Sequence, residues 1–156
     1  MIQAKVPEGL PKWMSEHVDS YLKSGGKDGH MYTIKPPGTD KEITVPALLL
    51  VTKGRKSGEK YLFPLFYGDT GKASYYLIAS KGGSPAHPSW YLNLLGNPRA
   101  QIQVKAEKME VTARIAEGEE RERLWRDAAQ VWPNYDVYVT RTTRRIPVVV
   151  LEPVRR

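Results

Sequence analysis

One stretch, residues 48–95, limits the possible folds more than any other. It reads LLLVTKGRKSGEKYLFPLFYG and then, after a short turn, ASYYLIASKGGSPAHPSWYLNLL. Residues 47–52 are a continuous apolar run of strand length, the pattern of a buried strand. A polar turn with two glycines follows at 53–60, and residues 61–67 read as a second strand in which Pro64 marks a bulge or an irregular edge. The turn Asp69-Thr70-Gly71-Lys72 leads into a third run at 74–79, which predicts a hairpin. Residues 80–88 form a loop. Residues 89–95 are a short helix stopped by Gly96 and the Asn97-Pro98 turn.

The flanking sequence fits around these strands. Residues 10–22 predict a helix with Leu10, Trp13, Met14, Val18, Tyr21 and Leu22 on one face. Core packing is the first reading of that face; a membrane-surface helix, with Trp13 and Met14 in the headgroup layer, is the second. Residues 24–40 are rich in Gly and Pro and read as a linker with an edge strand around 31–34. Residues 100–104 alternate, and 108–115 alternate strictly, with Met109, Val111, Ala113 and Ile115 facing one way. Together they predict an antiparallel hairpin with one wet face. Residues 117–131 predict a helix with acidic groups in its first turn and a stripe of Leu124, Ala128 and Val131. An aromatic segment with a helix-breaking Pro133 follows at 132–140, then a last apolar strand at 146–151 and the basic tail Arg155-Arg156. The sum is about six strands and three helices: a mainly β (α+β) chain, a small split antiparallel β-barrel with flanking helices. The expected organisation is a helix and linker over 1–40, flexible or membrane-facing, and the barrel over 41–156.

The 156 residues suffice for one domain with a real core. The absence of cysteine excludes disulfides, thiol catalysis and zinc-thiolate sites. No apolar run approaches the roughly 20 residues of a membrane span, and the N-terminus lacks the apolar core of a signal peptide, so a cytoplasmic location is expected. The histidines, His17, His30 and His87, have no ligand spacing, and no metal site is expected. With 24 Lys/Arg against 17 Asp/Glu the net charge is +7, which favours anionic partners without choosing among them.

Two loops repeat one chemical logic at the ends of strands. Gly54-Arg55-Lys56-Ser57-Gly58 sets two cations and a hydroxyl between glycines, which let the backbone approach an anion closely. Ala79-Ser80-Lys81-Gly82-Gly83 does the same after the next strand. Neither has the spacing of a nucleotide-binding loop. Trp90 and Asn93 share the short helix, the first able to support a flat ring and the second to offer an amide. Trp132, Tyr135 and Tyr138 suit a substrate lid, with Tyr hydroxyls able to donate a hydrogen bond or a proton. Catalysis by such a chain rests on a bound cofactor.

At LLLVTKGRKSG, FPL, ASKGG, HPSWYLNLLGNPR and RRIPVVVLEP, spanning residues 43–153, the chain resembles the deazaflavin-dependent nitroreductases of actinobacteria, a branch of the split β-barrel flavin and deazaflavin oxidoreductases. The resemblance implies an oxidoreductase that uses reduced coenzyme F-420, an 8-hydroxy-5-deazaflavin with a polyanionic tail, to pass a hydride to a quinone, nitroaromatic or activated enone. Carried over by position, it implies that Arg55, Lys56, Ser57 and Gly58 bind phosphate and tail. Pro64, Leu65 and Phe66 then line the ring, Ala79, Ser80 and Lys81 lie along it, and Trp90 and Asn93 complete the pocket. Phe66 and Trp132 contact substrate, and Ser80, Tyr135 and Tyr138 are the catalytic group. Relatives often carry a basic residue and a polar residue where this chain has Tyr61 and Phe63, so contacts there differ. The nitroimidazole-reducing branch has tyrosine at the position of Trp132. The alternatives are a split barrel using FMN and a non-enzymatic basic barrel binding anionic lipid or nucleic acid. On the enzyme reading no nucleic acid is expected, pairing into an oligomer is open, and the N-terminal helix is the place for peripheral contact with the inner membrane face.

Overall fold

A computed structural model describes residues 4–7, 10–35 and 40–154. The N-terminal residues 1–3 and 8–9, the Pro36-Pro37-Gly38-Thr39 part of the linker and the Arg155-Arg156 tail, all read above from sequence, lie outside the described residues. In chain order come α1 (Lys12–Ser24), β1 (Met31–Ile34), β2 (Ile43–Lys53), β3 (Lys60–Phe66), β4 (Gly68–Asp69) and β5 (Tyr75–Ile78). After a 3-10 turn at Lys81–Gly83 follow α2 (Ser89–Gly96), β6 (Arg99–Val104), β7 (Glu107–Ile115), α3 (Gly118–Val131), α4 (Asn134–Val139) and β8 (Val148–Pro153).

The strands form one antiparallel sheet in the order β1-β2-β6-β7-β8-β5-β4, with β3 on the free side of β2. Leu48 and Leu50 of β2 share a core with Leu77 of β5, although three strands separate the two in the sheet. The sheet therefore curls into the half-barrel that the sequence predicts, with Ile102, Val111, Val149 and Leu151 inside it.

Strand geometry explains why three runs are apolar without a break. Successive side chains point to opposite faces. In β2, Leu48 and Leu50 point into the curl while Leu49 and Val51 meet Val18 and Tyr21 of α1 on the outside. In β8, Val149 and Leu151 point in and Val148 and Val150 point out towards α3 and α4. In β5, Leu77 points in while Tyr76 and Ile78 join the outer cluster. Each fully buried Leu or Val contributes roughly 1.5–3 kcal/mol.

Tyr21 fixes α1 to the sheet. It is fully buried, and its hydroxyl accepts the Lys105 N–H at 2.8 Å. Its proton points between the carbonyls of Ala47 (3.0 Å) and Gln103 (3.2 Å). Of the face expected to be buried, only Val18 and Tyr21 reach the core; Trp13 and Leu22 remain partly exposed and His17 is buried instead.

Other local readings shift. The hairpin expected between 61–67 and 74–79 is only the two-residue ladder Gly68↔Tyr76 and Asp69↔Tyr75; beyond it Pro64 offers no N–H to the facing edge of β5, whose other edge pairs with β8. Pro64 causes no bulge: it sits in regular register opposite Leu49. Its missing N–H falls on the outer edge of β3, the side on which Leu62 N–H donates to the Lys5 carbonyl at 2.9 Å. Pro133 ends α3 yet opens α4, its φ of −58° already helical. Val131 stays exposed while Leu124 and Ala128 are buried.

Candidate functional site: the open seam between two strands

The ladder between β4 and β5 stops at Gly68↔Tyr76. Continued by two steps, it would set Phe66 opposite Ile78 and Pro64 opposite Ser80. All four residues instead line a cavity of about 660 Å³. The site is thus an unzipped ladder, its two walls the facing edges of β3 and β5. A Pro on one edge cannot donate the hydrogen bond that closure would need. Phe63, Leu65 and Leu77 form its apolar inner wall, and Trp90 at the start of α2 closes one end. Such a volume, mostly apolar with a few polar groups, suits a cofactor-sized ligand.

The aromatic segment of α4 forms the opposite side. Trp132, Tyr135 and Tyr138 all line the cavity and are buried. Trp132 leans on Phe66 with ring centroids 5.5 Å apart, and its indole N–H donates to the Tyr138 hydroxyl at 3.3 Å. That hydroxyl, accepting from the indole, keeps its own proton to donate. Burial, with Tyr138 and Tyr76 nearby, pushes the Tyr135 hydroxyl well above the ordinary tyrosine value of 10, so it stays protonated at neutral pH. Behind Phe66 and Trp132 lies a second cavity of about 370 Å³, bordered by Val45, Tyr76, Asp127 and Val131.

The two glycine-cation loops sit differently. In the β2–β3 turn the Arg55 backbone N–H (3.2 Å) and guanidinium (2.9 Å) both donate to Asn93 Oδ1. The Asn93 amide N donates in turn to Thr52 Oγ1 at 3.0 Å. Asn93 is 3% exposed and fully engaged. It is a strut between α2 and the turn, and does not line the cavity. Lys56 and Ser57 are exposed, Gly58 has φ +72°, and the Ser57 hydroxyl accepts the Glu59 N–H.

At the end of β5, Ala79 is fully buried, its N–H on the Pro147 carbonyl at 3.0 Å. Ser80, Lys81 and Gly82 line the cavity. Lys81, Gly82 and Gly83 all have positive φ, a left-handed turn that a lysine enters only under constraint. The constraint is Arg144. Its guanidinium donates to the carbonyls of Ser80 (2.7 Å), Ser84 (2.8 Å) and Ala79 (3.2 Å), and approaches His87 Nδ1 at 3.2 Å.

The expected set thus divides. Pro64, Leu65, Phe66, Ser80, Lys81, Trp90, Trp132, Tyr135 and Tyr138 surround one cavity. Arg55, Lys56, Ser57, Gly58 and Asn93 form a separate basic turn joined to it through α2, and Ala79 lies beneath. Sequence reasoning missed Ile34 and the α1 residues Trp13, Met14 and His17 as parts of the cavity lining, and Arg144, which stands behind the loop at its rim. His17 stacks on Tyr32 with centroids 4.2 Å apart and bonds the Gly29 carbonyl at 2.7 Å. Its spacing, four residues after Trp13, three after Met14 and four before Tyr21, sets it on the apolar face of α1 and was the available signal. Among the described residues no cluster of His, Asp and Glu could hold a metal, and no helix is long and apolar enough to cross a membrane.

Known proteins resemble the chain along almost its whole length. Residues 13–153 match the family model described as F420H(2)-dependent quinone reductase. The F420H(2)-dependent quinone reductase Rv1261c of Mycobacterium tuberculosis is 35% identical over 154 residues, 91% of this chain and 97% of that protein. A solved F420-H2 dependent reductase, FDR-A, is 44% identical with a TM-score of 0.63, covering 69% of this chain and 94% of its own. A second solved structure, a domain-swapped dimer, is 38% identical with a TM-score of 0.64, covering 90% and 97%. With the half-barrel, the open seam and a match of this extent in hand, the chain belongs to the F420H(2)-dependent quinone reductase family.

Proposed function

We propose that this protein binds reduced coenzyme F-420 in the seam between β3 and β5 and reduces a quinone there. The observation that carries the reading is the single cavity that gathers Phe63–Phe66, Ser80–Gly82, Trp90 and the α4 aromatics. The donor set fits the coenzyme. Apolar walls and the face of Trp90 suit a planar ring, and the cations of Arg55 and Lys56 suit an anionic tail. Gly58 has no backbone or ring within 4 Å of where a Cβ would stand, so an anion can come close to that turn.

When bound, the reduced deazaflavin supplies a hydride, and the quinone that receives it also takes up one proton to become a quinol. The protein's residues do the rest. Asn93 presets Arg55 on the tail side. Ser80 presents its hydroxyl at the cavity wall where the quinone oxygen gains charge. The Tyr135 and Tyr138 hydroxyls face the same space and can hydrogen-bond that oxygen or donate a proton to it. Trp132 and Phe66 exclude water from one side. Exposed Trp13 at the start of α1 offers the place for peripheral contact with a membrane, which a lipid-soluble quinone would favour.

Titration with the coenzyme, read by fluorescence with FMN in parallel, tests the reading, followed by quinone reduction. Binding of the deazaflavin in preference to FMN is expected, weakened about tenfold by Arg55→Ala and less by Lys56→Ala, since a charge-assisted bond is worth roughly 1.5–3 kcal/mol. Preference for FMN, or binding indifferent to both substitutions, would refute it.

A further inference from the structure

Arg144 lies outside every motif that carries the cofactor reading. It sits in RTTRR, a basic run between α4 and β8. Its guanidinium is turned inward, away from solvent anions, onto three carbonyls within six residues of chain and onto His87. Carboxylates are the usual partners of an arginine drawn out of water, yet none of the bonds of this half-buried one goes to a carboxylate. Those carbonyls belong to the loop that ends β5 and forms the cavity's rim. The loop runs through three successive left-handed residues beginning with Lys81, a non-glycine residue at φ +46°. Each such non-glycine residue costs roughly 1–2 kcal/mol. Two turn bonds of its own, Gly83 N–H to Ser80 O (2.9 Å) and Ser84 N–H to Lys81 O (3.0 Å), are its other local support.

We infer that Arg144 is a positioning residue for the reductase reaction. It draws the carbonyls of Ala79, Ser80 and Ser84 to the back of the loop and thereby sets the Ser80 hydroxyl and the front of the loop against coenzyme and quinone. The planar fork is what the task requires, because three carbonyls at different angles need donors spread in one plane. Lysine, a single point charge, can satisfy one or two of them. The inference rests on the proposed seam site, and it concerns turnover: the coenzyme's anionic tail contacts lie on the other loop, so binding should survive its loss.

The test compares wild type, Arg144→Ala and Arg144→Lys by four readouts: coenzyme affinity by fluorescence, kcat and KM for a soluble quinone, amide hydrogen exchange of the peptide over 79–84, and thermal unfolding. Arg144→Ala is expected to lower kcat about a hundredfold, the scale of a misplacement of roughly 1 Å. Its coenzyme affinity should change less than about threefold, since charge-assisted bonds to the tail persist. Exchange at 79–84 should accelerate, and added guanidinium ion should restore part of kcat in Arg144→Ala while leaving wild type unaffected. Arg144→Lys should fall between. If Arg144→Ala does not fold, the lysine variant alone decides, by slower turnover with faster exchange at 79–84. Undiminished kcat, unchanged exchange at 79–84, or a loss that tracks thermal stability and ignores guanidinium would overturn the inference. Failure of the wild type to bind coenzyme or reduce quinone would strike the seam reading instead, and the exchange measurement would still judge the clamp.

Discussion

The two glycine-cation loops look alike in sequence and are built in opposite ways. At the β2–β3 turn the anchor is a buried neutral amide, Asn93, and what it fixes is a cationic side chain, Arg55. At the end of β5 the anchor is itself the cation, Arg144, and what it fixes is backbone, leaving the Lys81 side chain exposed. The first loop presents a placed charge; the second presents a placed main chain and Ser80. Similar motifs thus divide the labour of holding a charged, flat ligand, one serving its tail and the other its reacting end.

Removing the first anchor should have the largest effect. Asn93→Ala removes both Arg55 bonds and leaves the buried Thr52 hydroxyl without its donor, and should cost about 3 kcal/mol in urea unfolding. It should also weaken coenzyme binding as far as Arg55→Ala does. If affinity holds while stability falls, the strut does not serve the tail site.

A pair of glycine substitutions sharpens the contrast next. In Gly83→Ala the new Cβ would stand 3.0 Å from both Arg141 Cβ and the Tyr138 carbonyl, at φ +81°. The expected cost is about 2 kcal/mol. Gly58→Ala shares the left-handed strain at φ +72° but meets only Lys53 Cε at 3.7 Å, so about 1 kcal/mol is expected. Equal costs would mean that the second loop is no more tightly packed than the first.

Acid should produce the smallest effect and act on the second loop selectively. Burial lowers the pKa of His17, His30 and His87 below the ordinary 6.5, with Lys105 adding to the effect on His30 and Arg144 to that on His87. The unfolded chain then binds more protons, so the stability these groups contribute is complete above 6.5 and is lost as pH falls through their lower folded values. Protonated His87 would also set a second cation against Arg144 and spoil its acceptor. Hydrogen exchange followed downward from pH 7 should quicken at 79–84 and stay level at 54–58, after correction for intrinsic rates.

Much of the fold was legible because burial on both faces leaves an unmistakable trace. The apolar runs of β2, β5 and β8, and the alternation of β7 through Met109, Val111 and Ala113, each matched an environment that the pattern dictates, whereas Ile115 at the end of β7 is exposed. The aromatics of the candidate site were legible too, since Trp132, Tyr135 and Tyr138 fall on one cavity as the resemblance implied. What escaped depends on distant partners or on ambiguous signals. Pro133 can end a helix or begin one, and only its surroundings decide. The β4–β5 ladder is two residues long, below what alternation can reveal. Arg144 reads as one more surface cation until the chain brings Ala79 and Ser80 to it from more than sixty positions away. His17 shares the apolar face of α1 with Trp13, Met14 and Tyr21, but a histidine does not count as apolar in the periodicity.

Pro64 has a further consequence, one of rates. A barrel whose seam could close on itself would have to unpair strands before admitting a ligand, and association would wait on that opening. Here the edge facing Ser80 lacks one of the donors that closure would use, which disfavours a zipped state. Coenzyme and quinone should therefore associate in a single concentration-dependent phase, without the plateau that a gating step imposes.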